Sequence, residues 1–181
     1  MPHHWHKMRV EEQIFASGLP FTILQPAPYM QNILPYWQGM IEEGRYAVPY
    51  APTTPLTHVD LTDVGEAAAI VLTEPGHEGA VYELCAADTL TPHEIAATVE
   101  RYCARPIEVQ TVPLEVWQAQ AKRRGLGEYQ VQALSRMFVY YQHHGLIGNE
   151  RVLHCLLQRP PTSFAAFVQR LCAASPAHPP A

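Results

Sequence analysis

Ser17-Gly18-Leu19-Pro20-Phe21-Thr22-Ile23-Leu24-Gln25-Pro26 holds a helix stop, a turn and a strand in sequence. Gly18 accepts the left-handed backbone of a helix end, and Pro20 just beyond it cannot continue the helix. The unbroken apolar run Phe21 to Leu24 predicts a strand buried on both faces of a parallel sheet. Upstream, Met8, Val10, Ile14 and Phe15 recur near helical spacing, and Lys7 and Glu11 form an i,i+4 pair, so residues 5–17 read as a helix. Helix, tight turn and buried strand together make a late αβ unit of an α/β fold.

Downstream, Gln25-Pro26-Ala27-Pro28 ends the strand. Residues 29–43 read as a helix that Pro35 must kink or delay. Residues 44–57, with Gly44, Pro49, Pro52 and Pro55, read as a long loop, and Thr57 to Asp60 as a short extended piece. Asp63, with Glu66 three residues on, is the expected N-cap of the next helix. Val81 to Cys85 reads as a strand. Thr91-Pro92-His93-Glu94 places Thr at an N-cap, Pro at the first helical position and Glu at N3. That helix runs to about Cys103, a strand follows at 106–112, and helices at 113–124, 128–143, 150–157 and 163–172. The expected organisation is late αβ units in residues 1–80, a smaller substrate-side α+β part in 81–173 and a frayed Pro/Ala-rich tail in 174–181.

The 181 residues include 48% apolar and only 16% charged side chains, against an average charged share of about 25%. The net charge of −5 and the lack of a basic stripe argue against nucleic acid as a direct ligand. No apolar run approaches the ~18 residues of a membrane span, and the N-terminal residues form no apolar leader. Cys85, Cys103, Cys155 and Cys172 are widely spaced with no CxxC pair, which reads as reduced thiols in a cytoplasmic protein. The 17 prolines fall between patterned segments and punctuate a fold.

Few residues carry chemistry on their own. Gly125-Leu126-Gly127 begins a GxG, but position 130 is Gln and a basic helix precedes it, so it reads as a helix–helix turn rather than a phosphate loop. His3, His4 and His6 lack the i,i+4 spacing of a helical metal site and read as polar histidines near a helix end, with no metal expected. Lys7 lies four residues after His3, on the same helical face. It is either a solvated lysine or a donor to ribose hydroxyls. Ligands of open α/β sheets bind beyond the carboxyl ends of strands. Gln25 to Asn32 occupies such an end. There Tyr29 and Asn32 either point polar groups into the crevice, or Tyr29 is core and Asn32 caps a turn.

These pieces, taken in order, resemble the NmrA-like family of atypical short-chain dehydrogenase/reductase proteins. The resemblance rests on His3-His4-Trp5-His6-Lys7, Val10-Glu11-Glu12, Ser17 to Pro26 and Tyr29-Met30-Gln31-Asn32. It continues through Val59-Asp60-Leu61-Thr62-Asp63-Val64, Val81-Tyr82-Glu83-Leu84, Leu90 to Ala96 and Arg159-Pro160-Pro161-Thr162-Ser163-Phe164. Each motif is modest, and the ordered set is the specific signal. The resemblance implies the C-terminal portion of a Rossmann-like fold with a mostly helical substrate-side subdomain and without the N-terminal glycine-rich βαβ units. It implies an NAD(P)-dependent oxidoreductase of the quinone or small-carbonyl type, with NADP preferred. In that pattern Lys7 matches the lysine that holds the nicotinamide ribose. His3 stands where the short-chain enzymes carry their catalytic tyrosine, as a proton relay. Pro26, Ala27, Tyr29 and Asn32 match positions at the nicotinamide end of the cofactor. Histidine in place of tyrosine also admits a non-catalytic NAD(P)-sensing regulator that binds a protein partner. Gln158 stands where the family pattern expects glycine. Met1-Pro2 opens on a motif that lies mid-chain in the family, which implies a truncated product or a late-started gene. Such a product is expected to be inactive on its own, with weak or absent cofactor binding and with homodimerisation or aggregation through an open strand edge.

Overall fold

The computed structural model describes residues 1–174, and for Pro2 and His3 the backbone alone. The tail expected to fray therefore lies almost wholly outside the described residues. Helix α1 (Pro2–Ala16) leads through a left-handed Gly18 (φ +70°) into strand β1 (Thr22–Pro26). β1 pairs in parallel with β4 (Ala80–Leu84), Thr22 opposite Ala80 and Pro26 opposite Leu84. Between them run a 3₁₀ turn (Met30–Ile33) and helix α2 (Leu34–Glu42), then β2 (Arg45–Val48), β3 (Leu56–Thr57) and α3 (Leu61–Thr73). After β4 come β5 (Thr89–Leu90), α4 (Pro92–Cys103), β6 (Glu108–Thr111), α5 (Leu114–Arg123), α6 (Glu128–His144), α7 (Arg151–Leu157) and α8 (Phe164–Ala174). β2 pairs in parallel with β6, and β3 pairs antiparallel with β5.

Two apolar clusters hold these layers. Val59, Ala67, Leu84, Leu153 and Leu157 join α3 and α7 to the β1–β4 pair. Met40, Val48, Val99, Phe164 and Val168 join α2, α4 and α8 to the β2–β6 pair. Each fully buried Leu or Val contributes about 1.5–3 kcal/mol of transfer free energy. β1 departs from expectation in one respect. Its residues are half-buried, with Gln25 exposed, because β4 is its one strand partner among the described residues.

Local signals held where they were chemically complete. At α4, the Thr91 hydroxyl accepts from the Glu94 amide (3.3 Å) and the Glu94 carboxylate accepts from the Thr91 amide (2.8 Å), the two halves of a capping box. Pro35 delays α2 behind a 3₁₀ turn. Three expectations fail. Residues 45–48 form a strand inside the expected loop, because pairing with β6 outweighs a turn-rich neighbourhood. The N-cap of α3 is Asp60, whose carboxylate accepts from the Thr62 amide (2.9 Å). Asp63 instead reaches across the fold. Fully buried, it accepts from the Thr162 amide (2.6 Å), the Thr162 hydroxyl (2.9 Å) and the Arg159 guanidinium (2.8 Å). Finally, Cys103 and Cys172 form a disulfide: α4 packs on α8 and brings their Cα atoms to 6.0 Å across 69 residues of chain. Cys85 and Cys155 remain thiols. The cysteines thus no longer argue for a reducing compartment.

Two stability outcomes follow. Asp63→Ala leaves the Thr162 amide without its acceptor and is expected to cost about 2–3 kcal/mol in urea unfolding. Gln158 closes α7 in the left-handed region (φ 53°), so Gln158→Gly is expected to raise stability by about 0.5–1 kcal/mol in the same assay. An unchanged or lower midpoint for that variant contradicts the strain.

Candidate functional site

Beyond Pro26 the chain leaves β1 and cannot form a regular helix at once, because Pro26 and Pro28 lack amide donors and fix φ. The backbone is tied down on both sides. The Ala27 amide donates to the Leu84 carbonyl (3.0 Å), the Val59 amide to the Pro28 carbonyl (3.0 Å) and the Met30 amide to the Val59 carbonyl (2.9 Å). Gln31 then clamps the start of α3. Its side-chain amide donates to Asp60 Oδ1 (2.8 Å) and its Oε1 accepts from the Leu61 amide (3.2 Å). Asp60 also pairs through Oδ2 with Arg170 of α8. Burial disfavours the Asp60 charge, but the Thr62 amide, Arg170 and Gln31 together hold its pKa below the ordinary value.

This braced segment floors a cavity of about 630 Å³, within the usual range of small-molecule sites of ~300–1,000 Å³. Pro26, Ala27, Tyr29 and Asn32 all line it, and so does His4 of α1. Lys7 does not. It is exposed on α1 three residues beyond His4, hence on the same helical face one turn away. The His3 side chain lies outside the described residues. Burial, and to a lesser degree the positive N-terminus, lowers the pKa of His4.

The far walls are aromatic and come from elements whose role was not read from the sequence. Tyr36, Tyr46, Tyr50, Trp117, Phe138 and Phe164 surround the space. Trp117 donates its indole N–H to Tyr36, and Tyr46 bonds Tyr50, so these polar tips are paired. Desolvation raises the pKa of all three tyrosines and keeps them neutral. Trp117 also stacks edge-to-face on Phe138 at 4.8 Å. His58, 8% exposed, faces the same cavity and was not singled out from the sequence. No local motif marks it; its neighbour Val59, bridging to Tyr29, is what turns it inward. Burial pulls its pKa down to about 4, with a weaker contact to the Leu56 backbone working the other way. The cavity is therefore uncharged over most of its wall, walled largely by flat rings and set at the strand end where ligands of α/β sheets bind.

A profile of the NmrA-like family matches residues 1–168, and the chain belongs to that family. Among curated relatives, an NAD(P)H azoreductase of Xenophilus azovorans is 27% identical over 91% of this chain and 57% of its own length. Quinone oxidoreductase 2 of Escherichia coli is 27% identical over the same shares. The NADPH complex of that E. coli enzyme superposes with a TM-score of 0.79 over 91% of this chain and 58% of the other. A Citrobacter triphenylmethane reductase, 20% identical, shares the fold with a TM-score of 0.81 over 94% of this chain and 60% of its own. The chain thus spans somewhat more than half the length of the relatives it matches. The α/β architecture and the likeness to the C-terminal part of a Rossmann-type fold agree with the expectation from the sequence. No helix among the described residues is long and apolar enough to cross a membrane.

The lowered pKa of Asp60 has a consequence for acid stability. Its stabilising effect is fully present above the ordinary carboxylate value of 3.8 and is lost as pH falls through the lower folded value. Comparing urea midpoints at neutral pH and below pH 3.8, the wild type is expected to lose more stability than Asp60→Asn. Parallel losses contradict this assignment.

Proposed function

We propose that this chain forms the substrate-side portion of an NAD(P)H-dependent oxidoreductase of the quinone or small-carbonyl type, with NADPH preferred over NADH. The observation that supports this reading most is the aromatic-walled cavity at the carboxyl end of β1, floored by Pro26, Ala27, Tyr29 and Asn32. The two curated relatives named above, an azoreductase and a quinone oxidoreductase, point the same way.

The residues present fit one end of the cofactor. The rigid Pro26–Pro28 turn and the small Ala27 leave room for a flat ring against the strand end, with Tyr29 and Asn32 beside it. No glycine-rich turn joins a strand to a following helix among the described residues, so the pyrophosphate has no cradle there. When bound, the cofactor supplies a hydride. This chain's part is to place the acceptor, exclude water with its aromatic wall and orient the ribose through Lys7 of α1. His3, on the same face as Lys7, is the proposed proton relay, since imidazole exchanges protons near neutral pH. In this reading residues 1–80 carry the cofactor-side units and residues 81–173 close over the substrate.

The test is NADPH binding and quinone-dependent NADPH oxidation by the protein expressed from its gene. Turnover is expected, with Lys7→Ala raising KM for NADPH and Tyr29→Ala lowering kcat/KM by about tenfold or more, equivalent to about 1.4 kcal/mol of transition-state binding. Failure to bind NADPH overturns the proposal.

A further inference from the structure

Helix α5 presents one stripe to the cavity. Trp117, Gln120, Ala121 and Arg124 follow one another at i, i+3, i+4 and i+7, and all four line the space. Arg124 closes the helix with its amide still bonded to the Gln120 carbonyl (3.0 Å), so it keeps the register of the stripe. It is exposed, which sets it at the cavity's rim. Its charge is felt within. Burial raises the pKa of Tyr36, while the Trp117 indole and the Arg124 guanidinium pull it the other way. No Asp, Glu or Lys shares this lining, although the chain carries a net charge of −5. Arg124 also makes no ion pair among the described residues. The C-terminal dipole of α5 does not need it. Lys122 and Arg123 place positive charge there from outside the lining, and Lys122 pairs with Glu128 at 2.6 Å.

We propose that Arg124 selects the acidic end of the substrate and that the cavity takes a flat aromatic quinone or carbonyl compound carrying a carboxylate. The inference rests on the reading of the cavity as the substrate site, and adds the class of substrate it admits. A guanidinium is a planar fork of N–H donors that fits a carboxylate through two parallel bonds. The rings of Tyr36, Trp117 and Phe138 receive the flat body, and they keep water from part of the ion pair, which strengthens it. With no carboxylate on the lining, an acidic ligand meets no like charge there.

The experiment needs no cofactor. 2-Naphthoate and its neutral isostere 2-acetylnaphthalene are titrated calorimetrically into the 181-residue chain, Arg124→Gln and Arg123→Gln. The carboxylate is expected to bind wild type about 5–10-fold more tightly than Arg124→Gln, between the worth of an exposed ion pair and that of a buried charged hydrogen bond. Arg123→Gln is expected to bind it as wild type does, and the ketone to bind all three alike. Raising the ionic strength from about 0.05 M to about 0.5 M should weaken the carboxylate alone. In ¹H–¹⁵N spectra of wild type, the carboxylate should move the Arg124 Nε–H proton downfield and the ketone should not. This readout decides the matter if Arg124→Gln does not fold. Equal carboxylate affinity in wild type and Arg124→Gln, an equal loss in Arg123→Gln, no carboxylate binding to wild type, or an unmoved Nε–H resonance overturns the proposal. Loss of NADPH turnover with the carboxylate preference intact would instead strike the oxidoreductase reading alone.

Discussion

Asp60 serves three elements with one carboxylate. It caps α3 through the Thr62 amide, receives the Gln31 side chain from the segment after β1, and pairs with Arg170 of α8. A buried carboxylate is costly unless every oxygen is occupied. Here that cost is met only when the strand-end segment, α3 and α8 sit in one arrangement. The constraint therefore acts as a positional lock: it seats Pro26 to Ile33 against Val59, and the cavity floor follows from that seat. Asp63 repeats the device one turn later, tying α3 to the Arg159–Thr162 segment that introduces α8.

The cavity those locks frame is chemically unlike them. Asp60, Asp63, Arg159 and Arg170 are spent in the supporting shell, while the walls offer mostly rings and neutral polar tips. Desolvation is the common cause, raising the pKa of Tyr36, Tyr46 and Tyr50 and lowering that of His58, so these four groups are uncharged at neutral pH, and Arg124 is a cation on the same lining. Away from that cation, such a surface favours flat, weakly polar groups over ions. That agrees with the reductase names of the curated relatives.

Much of the fold was legible because its signals are local. Gly18 and Pro20 stop α1, the Thr91–Glu94 box starts α4, and Pro35 delays α2; each needs only neighbours a turn away. Pro26, Ala27, Tyr29 and Asn32 were likewise legible as a strand end, and the structure gathers all four on one cavity wall. The misreadings share a different character. Arg45 to Val48 became a strand through pairing with residues some sixty positions on. Asp63 offered a plausible capping box, yet partners from Arg159 and Thr162 claimed it and Asp60 took the cap. Cys103 and Cys172 looked unpaired until α4 and α8 packed together.

The sequence by itself determined the fold class, the family, most element boundaries and the strand end at which a ligand would sit, because these depend on short-range backbone preferences and on an ordered set of motifs. Only the tertiary structure decided which wall faces that strand end. Tyr46, Trp117, Phe138 and Phe164 come from elements spread over more than a hundred residues, and nothing local distinguishes them from ordinary core aromatics. It also decided that His58 is buried beside the cavity, since the surroundings of one residue next to a two-residue strand are set by what packs across from it, not by its neighbours in the chain.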